Sequence, residues 1–150
     1  GNEVVWECAS TMLRRQAGGA DAGKTPTPKP AAVARPDMAN VQWVIPADIG
    51  RRYGAISGDR NPIHLYGFTA KLFGFPRAIA HGMWSKARCL AALEGRLPDA
   101  CTVEVQFKLP VLLPAKVSFN SEPQPDGQFT FSLQDLKSGK PHLAGTVTPA

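Results

Sequence analysis

The sequence is poor in the features that would place it in several broad classes. It has three cysteines, Cys8, Cys89 and Cys101, an odd number without the paired spacing of a zinc site or a redox disulfide. We expect all three to be reduced, buried thiols in a reducing compartment. No apolar run approaches the roughly 20 residues of a membrane-spanning helix. The first residues lack the basic start and apolar core of a secretory leader, so we expect a cytoplasmic protein without membrane contact. Acidic residues are also in deficit, 12 against 17 Lys and Arg, giving a formal charge of +5. The cations are scattered, however, and no aromatic-basic RNA motif or zinc-finger spacing accompanies them, which argues against nucleic acid as a partner. A phosphate-bearing small ligand accounts for the charge, and so does simple solubility.

The 150 residues suit one domain with a real core. The stretch Glu3–Leu13, with Val4-Val5-Trp6, reads as a strand ending in Arg14-Arg15 and lacking a partner nearby. Residues 17–37 carry almost no large apolar side chain and cannot bury enough surface to offset the entropy of ordering. The expected organisation is therefore an orphan strand in 1–15, a linker in 16–38 and a domain in 39–150.

Within that domain Val41–Ile45 is a strand candidate, and Pro46 is placed to open a helix carrying Ile49, Tyr53 and Ile56, with Gly58 as its stop. A short helix follows over about Phe68–Phe73. A longer one starts near His81, with Met83, Ala87, Leu90 and Ala91 at helical spacing, and ends by Gly95 and Pro98. Cys101, Val103, Val105 and Phe107 then alternate with Thr102, Glu104, Gln106 and Lys108, the period of a strand with one buried face. The pattern recurs at Val117 and Phe119, at Phe129, Phe131 and Leu133, and at Leu143 and Val147, with turns at Asp126-Gly127 and Ser138-Gly139. Helices followed by an antiparallel meander point to an α+β fold with the long helix against one face of the sheet.

Two short stretches carry candidate chemistry. Asp59-Arg60-Asn61-Pro62-Ile63-His64 sets a carboxylate and an imidazole five residues apart across a proline that drives Asn61 out of the helical region, so the two side chains can converge on one water. On spacing alone, an Asp59 that only caps the turn and a His64 solvated at its end are the plainer reading. In Ala80-His81-Gly82-Met83, a helix start would leave the Gly82 amide unpaired at the positive end of the helix, able to bond an oxygen gathering negative charge. A helix entry that simply needs a small residue is the plainer reading. His81 suits a cap or the core, and His142 a structural role.

Taken in order, Ser57-Gly58-Asp59, Asn61-Pro62-Ile63-His64, Ala70–Phe75, Ala80-His81-Gly82-Met83 and Val105–Pro110 with Leu113-Pro114 resemble the MaoC-like family of hot-dog-fold hydratases over roughly residues 41–149. The resemblance implies an antiparallel sheet wrapped around a long central helix. It also implies (R)-specific hydration of a trans-2-enoyl-CoA, or the reverse dehydration, with no metal or redox cofactor. Asp59 and His64 would bind and activate the water, the Gly82 amide would hold the thioester oxyanion, and Asn61 would orient the site. Lys71, Arg77, Lys86, Arg88, Lys108 and His81 are the candidates for contact with the CoA substrate. Members of this family can carry two hot-dog repeats, the second catalytic. The N-terminal strand resembles the end of a first repeat, so we expect a homodimer or pairing with another hot-dog subunit. An acyl-CoA thioesterase and a non-catalytic acyl-CoA-binding subunit are the rival functions.

Overall fold

The computed structural model describes residues 4–11 and 41–150, and the chain divides into two units, Gly1–Ala34 and Arg35–Ala150. In the first unit, residues 4–11 form neither helix nor strand, and Val4, Val5 and Trp6 are exposed. The expected strand over Glu3–Leu13 is therefore absent from its described part. An extended segment becomes a strand only when a neighbour takes up its N–H and C=O groups, and no ladder pairs these eight residues. The expected linker, 16–38, lies outside the described residues.

The second unit is α+β. Its strands are β1 (Val41–Ile45), β2 (Cys101–Phe107), β3 (Ala115–Pro123), β4 (Phe129–Asp135) and β5 (Pro141–Pro149), and its helices are α1 (Ile49–Ser57), α2 (Pro62–Leu65), α3 (Gly67–Leu72) and α4 (Gly82–Ala91). All strand pairs are antiparallel, in the order β1-β3-β4-β5-β2. Among the described residues no helix is long and apolar enough to cross a membrane.

Alternation along the strands builds the inner face. Phe119, Leu133 and Leu143 are aligned by register across β3, β4 and β5, and with Val117, Phe131 and Val147 they are buried in one cluster. The ring of Phe131 lies across Gly145, where a β-carbon would strike it. Cys89 of α4 and Leu93 just beyond it are fully buried in the same cluster, so α4 covers this face. Burial pushes the Cys89 thiol up to about 12, which leaves it protonated and inert. Cys101 is half-buried and Cys8 exposed, so burial of all three thiols does not hold.

Three further expectations are corrected. Only β3, β4 and β5 form a meander, because β2 crosses to the far edge and pairs with β5, while β1 takes the place beside β3. The connection from β2 to β3 contains Pro110 and Pro114, which lack N–H donors and so cannot extend a hairpin ladder. It bonds instead to the segment before α4, through Ala80 N–H to the Val111 carbonyl at 2.9 Å and Leu113 N–H to the Ala78 carbonyl at 2.8 Å.

The inward stripe of α4 is His81, Ser85 and Cys89, one turn apart, whereas Met83, Ala87 and Ala91 face out. A buried serine is tolerated because its hydroxyl donates to the His81 carbonyl at 3.4 Å. Helix α1 begins at Ile49, three residues after Pro46, and buries Gly50 and Gly54 while Ile56 is 86% exposed.

Glycine inside a helix costs about 0.5–1 kcal/mol relative to alanine, so two in nine residues require a compensating contact. Here a β-carbon on Gly50 would fall on the His64 carbonyl oxygen, and one on Gly54 would lie 2.8 Å from the Asp59 carbonyl oxygen. Helix α1 is thus the bed on which the 59–64 loop rests. Gly50→Ala should destabilise the domain by about 1–3 kcal/mol through overpacking, whereas Gly67→Ala, with no atom closer than 4.0 Å to the new methyl, should change stability by less than about 0.5 kcal/mol. Denaturant unfolding of both variants checks the pair, and equal midpoints would overturn the account.

Candidate active site

The loop after α1 is shaped by its own side chains. Gly58, at φ 77°, closes the helix by donating its N–H to the Gly54 carbonyl. Asp59 Oδ1 then accepts the Asn61 N–H at 3.1 Å, a local turn that holds one carboxylate oxygen and leaves Oδ2 free. Pro62 keeps Asn61 extended, at φ −56° and ψ 127°, and Asn61 Oδ1 caps α2 by accepting the Ile63 N–H at 3.3 Å. Asn61 therefore acts on the site through its backbone and its cap. His64 sits at the end of this one-turn helix, 8% exposed.

Two backbone carbonyls determine the state of the imidazoles. His64 Nδ1–H donates to the Ile79 carbonyl at 2.9 Å, and His81 Nε2–H donates to the Asp59 carbonyl at 2.9 Å. A carbonyl only accepts, so in neutral His64 the lone pair lies on Nε2 and in neutral His81 it lies on Nδ1. Nδ1 of His81 is buried without a hydrogen-bond partner among the described residues. The two rings stack with centroids 3.7 Å apart and planes 25° apart, and the Tyr53 ring tilts over His81 at 5.0 Å.

Asp59 Oδ2 lies 3.9 Å from His64 Nε2 and 3.7 Å from His81 Nε2. Both separations exceed a hydrogen bond. The first, however, separates two acceptors by a distance that one water can span, with arms of about 2.8 Å. Burial is the largest influence on His64 and lowers its pKa below the usual 6.5, with His81 adding to that effect. The bond to Ile79 and the Asp59 carboxylate act in the opposite direction. His64 is thus a neutral imidazole at pH 7, while the Asp59 side chain remains 53% exposed.

Asp59, His64 and His81 each offer one atom within 4.8 Å of the others, a candidate ligand set for a metal ion. In the observed bonding His81 Nε2–H is donated to the Asp59 main-chain carbonyl and the ring's lone pair lies on the buried Nδ1, so at the atoms nearest one another only Asp59 Oδ2 and His64 Nε2 offer lone pairs. The arrangement suits a hydrogen-bonded water better than a three-ligand metal cage.

Gly82 is the first residue of α4, and His81 precedes it in an extended conformation that makes no side-chain cap. The first N–H of this turn to find a carbonyl is that of Ser85, bonded to His81 at 3.2 Å. Those of Gly82, Met83 and Trp84 have no partner among the described residues. A β-carbon on Gly82 would lie 3.0 Å from the Phe107 ring, which rests against this helix start.

Of the expected substrate-contacting cations, none bonds to Asp59, His64 or His81. Arg77 donates to the Pro114 carbonyl at 3.3 Å, Lys108 to Gln106 Oε1 at 2.7 Å, and Arg88 lies 4.4 Å over the Trp43 ring. Lys71 is exposed and Lys86 half-buried. His142 has a structural bond, Nδ1–H to the Leu109 carbonyl at 3.0 Å. The residues missed by inspection of the sequence are Gly50 and Gly54, whose signal was two glycines one turn apart in a short helix, and Tyr53, which offered none.

The MaoC like domain matches residues 21–136. The 3-hydroxyacyl-thioester dehydratase X of Mycobacterium tuberculosis is 42% identical over 147 residues, 98% of this chain and 51% of that protein. The crystal structure of HtdX from the same organism superposes with a TM-score of 0.69 at 44% identity, covering 73% of this chain and 47% of that one. The R-hydratase PhaJ1 of Pseudomonas aeruginosa superposes with a TM-score of 0.57 at 30% identity, covering 73% and 76%. The chain thus spans about half the length of the mycobacterial relative, and its sheet and helices have the hot-dog arrangement implied by the resemblance. With its match extending over more than two thirds of the residues, this chain belongs to the MaoC-like domain family.

Proposed function

We propose that this domain adds water to a trans-2-enoyl-CoA to give the (R)-3-hydroxyacyl-CoA, or catalyses the reverse dehydration, without a metal or redox cofactor. The observation that carries this reading is the pair formed by His64 Nε2, whose lone pair is left free by the Ile79 carbonyl, and Asp59 Oδ2 at 3.9 Å. Both are acceptors, so one water can donate a proton to each and keep its oxygen lone pair for the electrophile. The water oxygen bonds to the β carbon, one of its protons passes to the pair, and the conjugated electrons move to the thioester oxygen. The unpaired Gly82 N–H at the start of α4 is the donor for that oxyanion. Collapse of the enolate returns a proton to the α carbon, so the net change is one water added. The names of the relatives, a 3-hydroxyacyl-thioester dehydratase and an R-hydratase, support the same chemistry.

The chain spans 51% of the mycobacterial relative, and in the described residues β1 and β2 are sheet edges with one neighbour each. We propose that the acting unit is a pair of such sheets, formed by a second copy or by another hot-dog subunit.

Asp59→Asn and His64→Ala should each lower kcat for crotonyl-CoA hydration by about 10²–10⁴-fold without unfolding the domain, followed as loss of the conjugated enoyl absorbance. Full activity in either variant sinks the assignment. Thiol release with the double bond retained would identify a thioesterase, and bound acyl-CoA with neither signal a binding subunit.

The pH profile has a defined sign. Burial favours neutral His64, and neutral Nε2 is the reactive form, so kcat/KM should fall only as pH drops below 6.5. The unfolded chain takes up that proton first, so stability declines over the same window, from 6.5 down to the lowered folded value. An acid limb centred above 6.5 would contradict this.

Replacing Gly82 separates the amide from the space it leaves. Gly82→Pro removes the N–H, whereas Gly82→Ala keeps it and shares the crowding against Phe107. The proline variant should be slower than the alanine variant by about 10²–10³-fold in kcat. Equal rates would remove Gly82 from the mechanism.

A further inference from the structure

Where the β2–β3 connection meets the start of β3 and the β4–β5 hairpin, the surface folds into a cleft of about 510 Å³, within the size range of small-molecule sites. Its lining includes the basic side chains of Arg77, Lys116, Lys137 and Lys140, and none of the four has an ion-pair partner among the described residues. Asp135 is the one carboxylate in the lining. Its Oδ1 accepts the Ser138 N–H and hydroxyl at 2.7 Å each, bonds that hold the carboxyl below its usual range and keep it ionised, so it offsets one of the four positive charges. Arg77 is tethered through Nη1 to the Pro114 carbonyl, which leaves the other N–H groups of its fork for a ligand. Four cations against one carboxylate leave this lining with a formal charge of +3 (four minus one), in a chain whose whole formal charge is +5.

Much of the remaining lining is apolar, with Leu109, Pro110 and Leu112 in the β2–β3 connection and Leu136 in the β4–β5 connection. A ligand suited to both parts has several negative charges and a flat or apolar body. His142 also lines the cleft. Its Nδ1–H is committed to the Leu109 carbonyl, and its Nε2 is buried without a hydrogen-bond partner among the described residues.

The cleft is joined to the catalytic pair by covalent structure. Arg77 of the lining and His81 of the site are four residues apart along the chain, at most about 14 Å. Leu112 of the lining forms a β-bridge with Ile79, whose carbonyl holds His64. A thioester that carries its phosphates at the far end of a flexible arm can occupy two neighbouring sites of this kind at once.

We propose that this cleft binds the phosphate-bearing nucleotide end of the thioester substrate, with Lys116, Lys137 and Lys140 joining Arg77 as its anion-binding groups. The inference rests on the hydratase reading above, and names the part of the substrate this surface recognises.

The test is the double charge reversal Lys137→Glu/Lys140→Glu, assayed with crotonyl-CoA and with crotonyl-pantetheine, which lacks the phosphates. KM for crotonyl-CoA should rise roughly tenfold or more and kcat should stay within about twofold, while kcat/KM for crotonyl-pantetheine is unchanged. Adenosine 3′,5′-bisphosphate should bind the wild type and lose affinity in the variant by a similar factor, an effect that weakens as salt is raised. An unchanged KM for crotonyl-CoA overturns the proposal. So does an equal loss with both thioesters, or a loss confined to a substrate carried on an acyl carrier protein. Should the wild type hydrate neither thioester, the reaction is wrong, and equilibrium binding of the bisphosphate to wild type and variant still decides the cleft.

Discussion

Two hydrogen bonds to main-chain carbonyls hold the arrangement together, His64 to Ile79 and His81 to Asp59. They run in opposite directions between the same two segments, so the 59–64 loop and the 79–81 stretch clasp each other, and a third bond joins Ile79 N–H to the Ile63 carbonyl at 3.1 Å. Each bond does chemical as well as mechanical work. A carbonyl accepts a proton but never supplies one, so the clasp selects the tautomer of each imidazole and directs the free lone pair of His64 toward Asp59. The remaining architecture serves to keep the segments in place. Helix α1 presents backbone at Gly50 and Gly54 so that the loop lies flush, and the β2–β3 connection pins the other segment through Ala78 and Ala80.

The electrostatics follow from where this clasp lies. His64 and His81 are inside, at 8% and 3% exposure, and Asp59 reaches the solvent from the loop. Desolvation penalises charge on the His64 imidazole. One base is therefore neutral and oriented while its partner remains in contact with water, an asymmetry suited to taking a water from solvent and removing its proton. The unpaired amides at the start of α4 add donors to a region whose other free polar atoms, Asp59 Oδ2 and His64 Nε2, are acceptors. That layout follows from His81 being both the N-cap of the helix and a member of the clasp.

Much of this was legible before the fold was known. Asp59, Asn61, Pro62 and His64 form a local unit whose turn, cap and one-turn helix involve residues two or three apart, and local interactions of that kind are written directly into sequence. The inward residues of β3, β4 and β5 were likewise marked by alternation, which is a property of any strand with one buried face. Patterning failed where the choice of face or partner was made at long range. The stripe of α4 passes through His81 and Ser85 instead of the more apolar Met83, because the clasp orients the helix and satisfies the buried polar groups. Ile56 of α1 points outward because the glycines were needed inward.

The sequence by itself determined the composition of the 59–64 loop, the strands and their turns, and the glycine and histidine at the start of α4, since each depends on neighbours within a few residues. Only the tertiary structure decided that β2 pairs with β5, that His64 and His81 stack, which nitrogen of each carries the proton, and that Arg77, Lys116, Lys137 and Lys140 share one cleft. These depend on atoms brought together from positions up to tens of residues apart, by burial and by the need of each backbone polar group for a partner. No local pattern encodes which of several possible partners that will be.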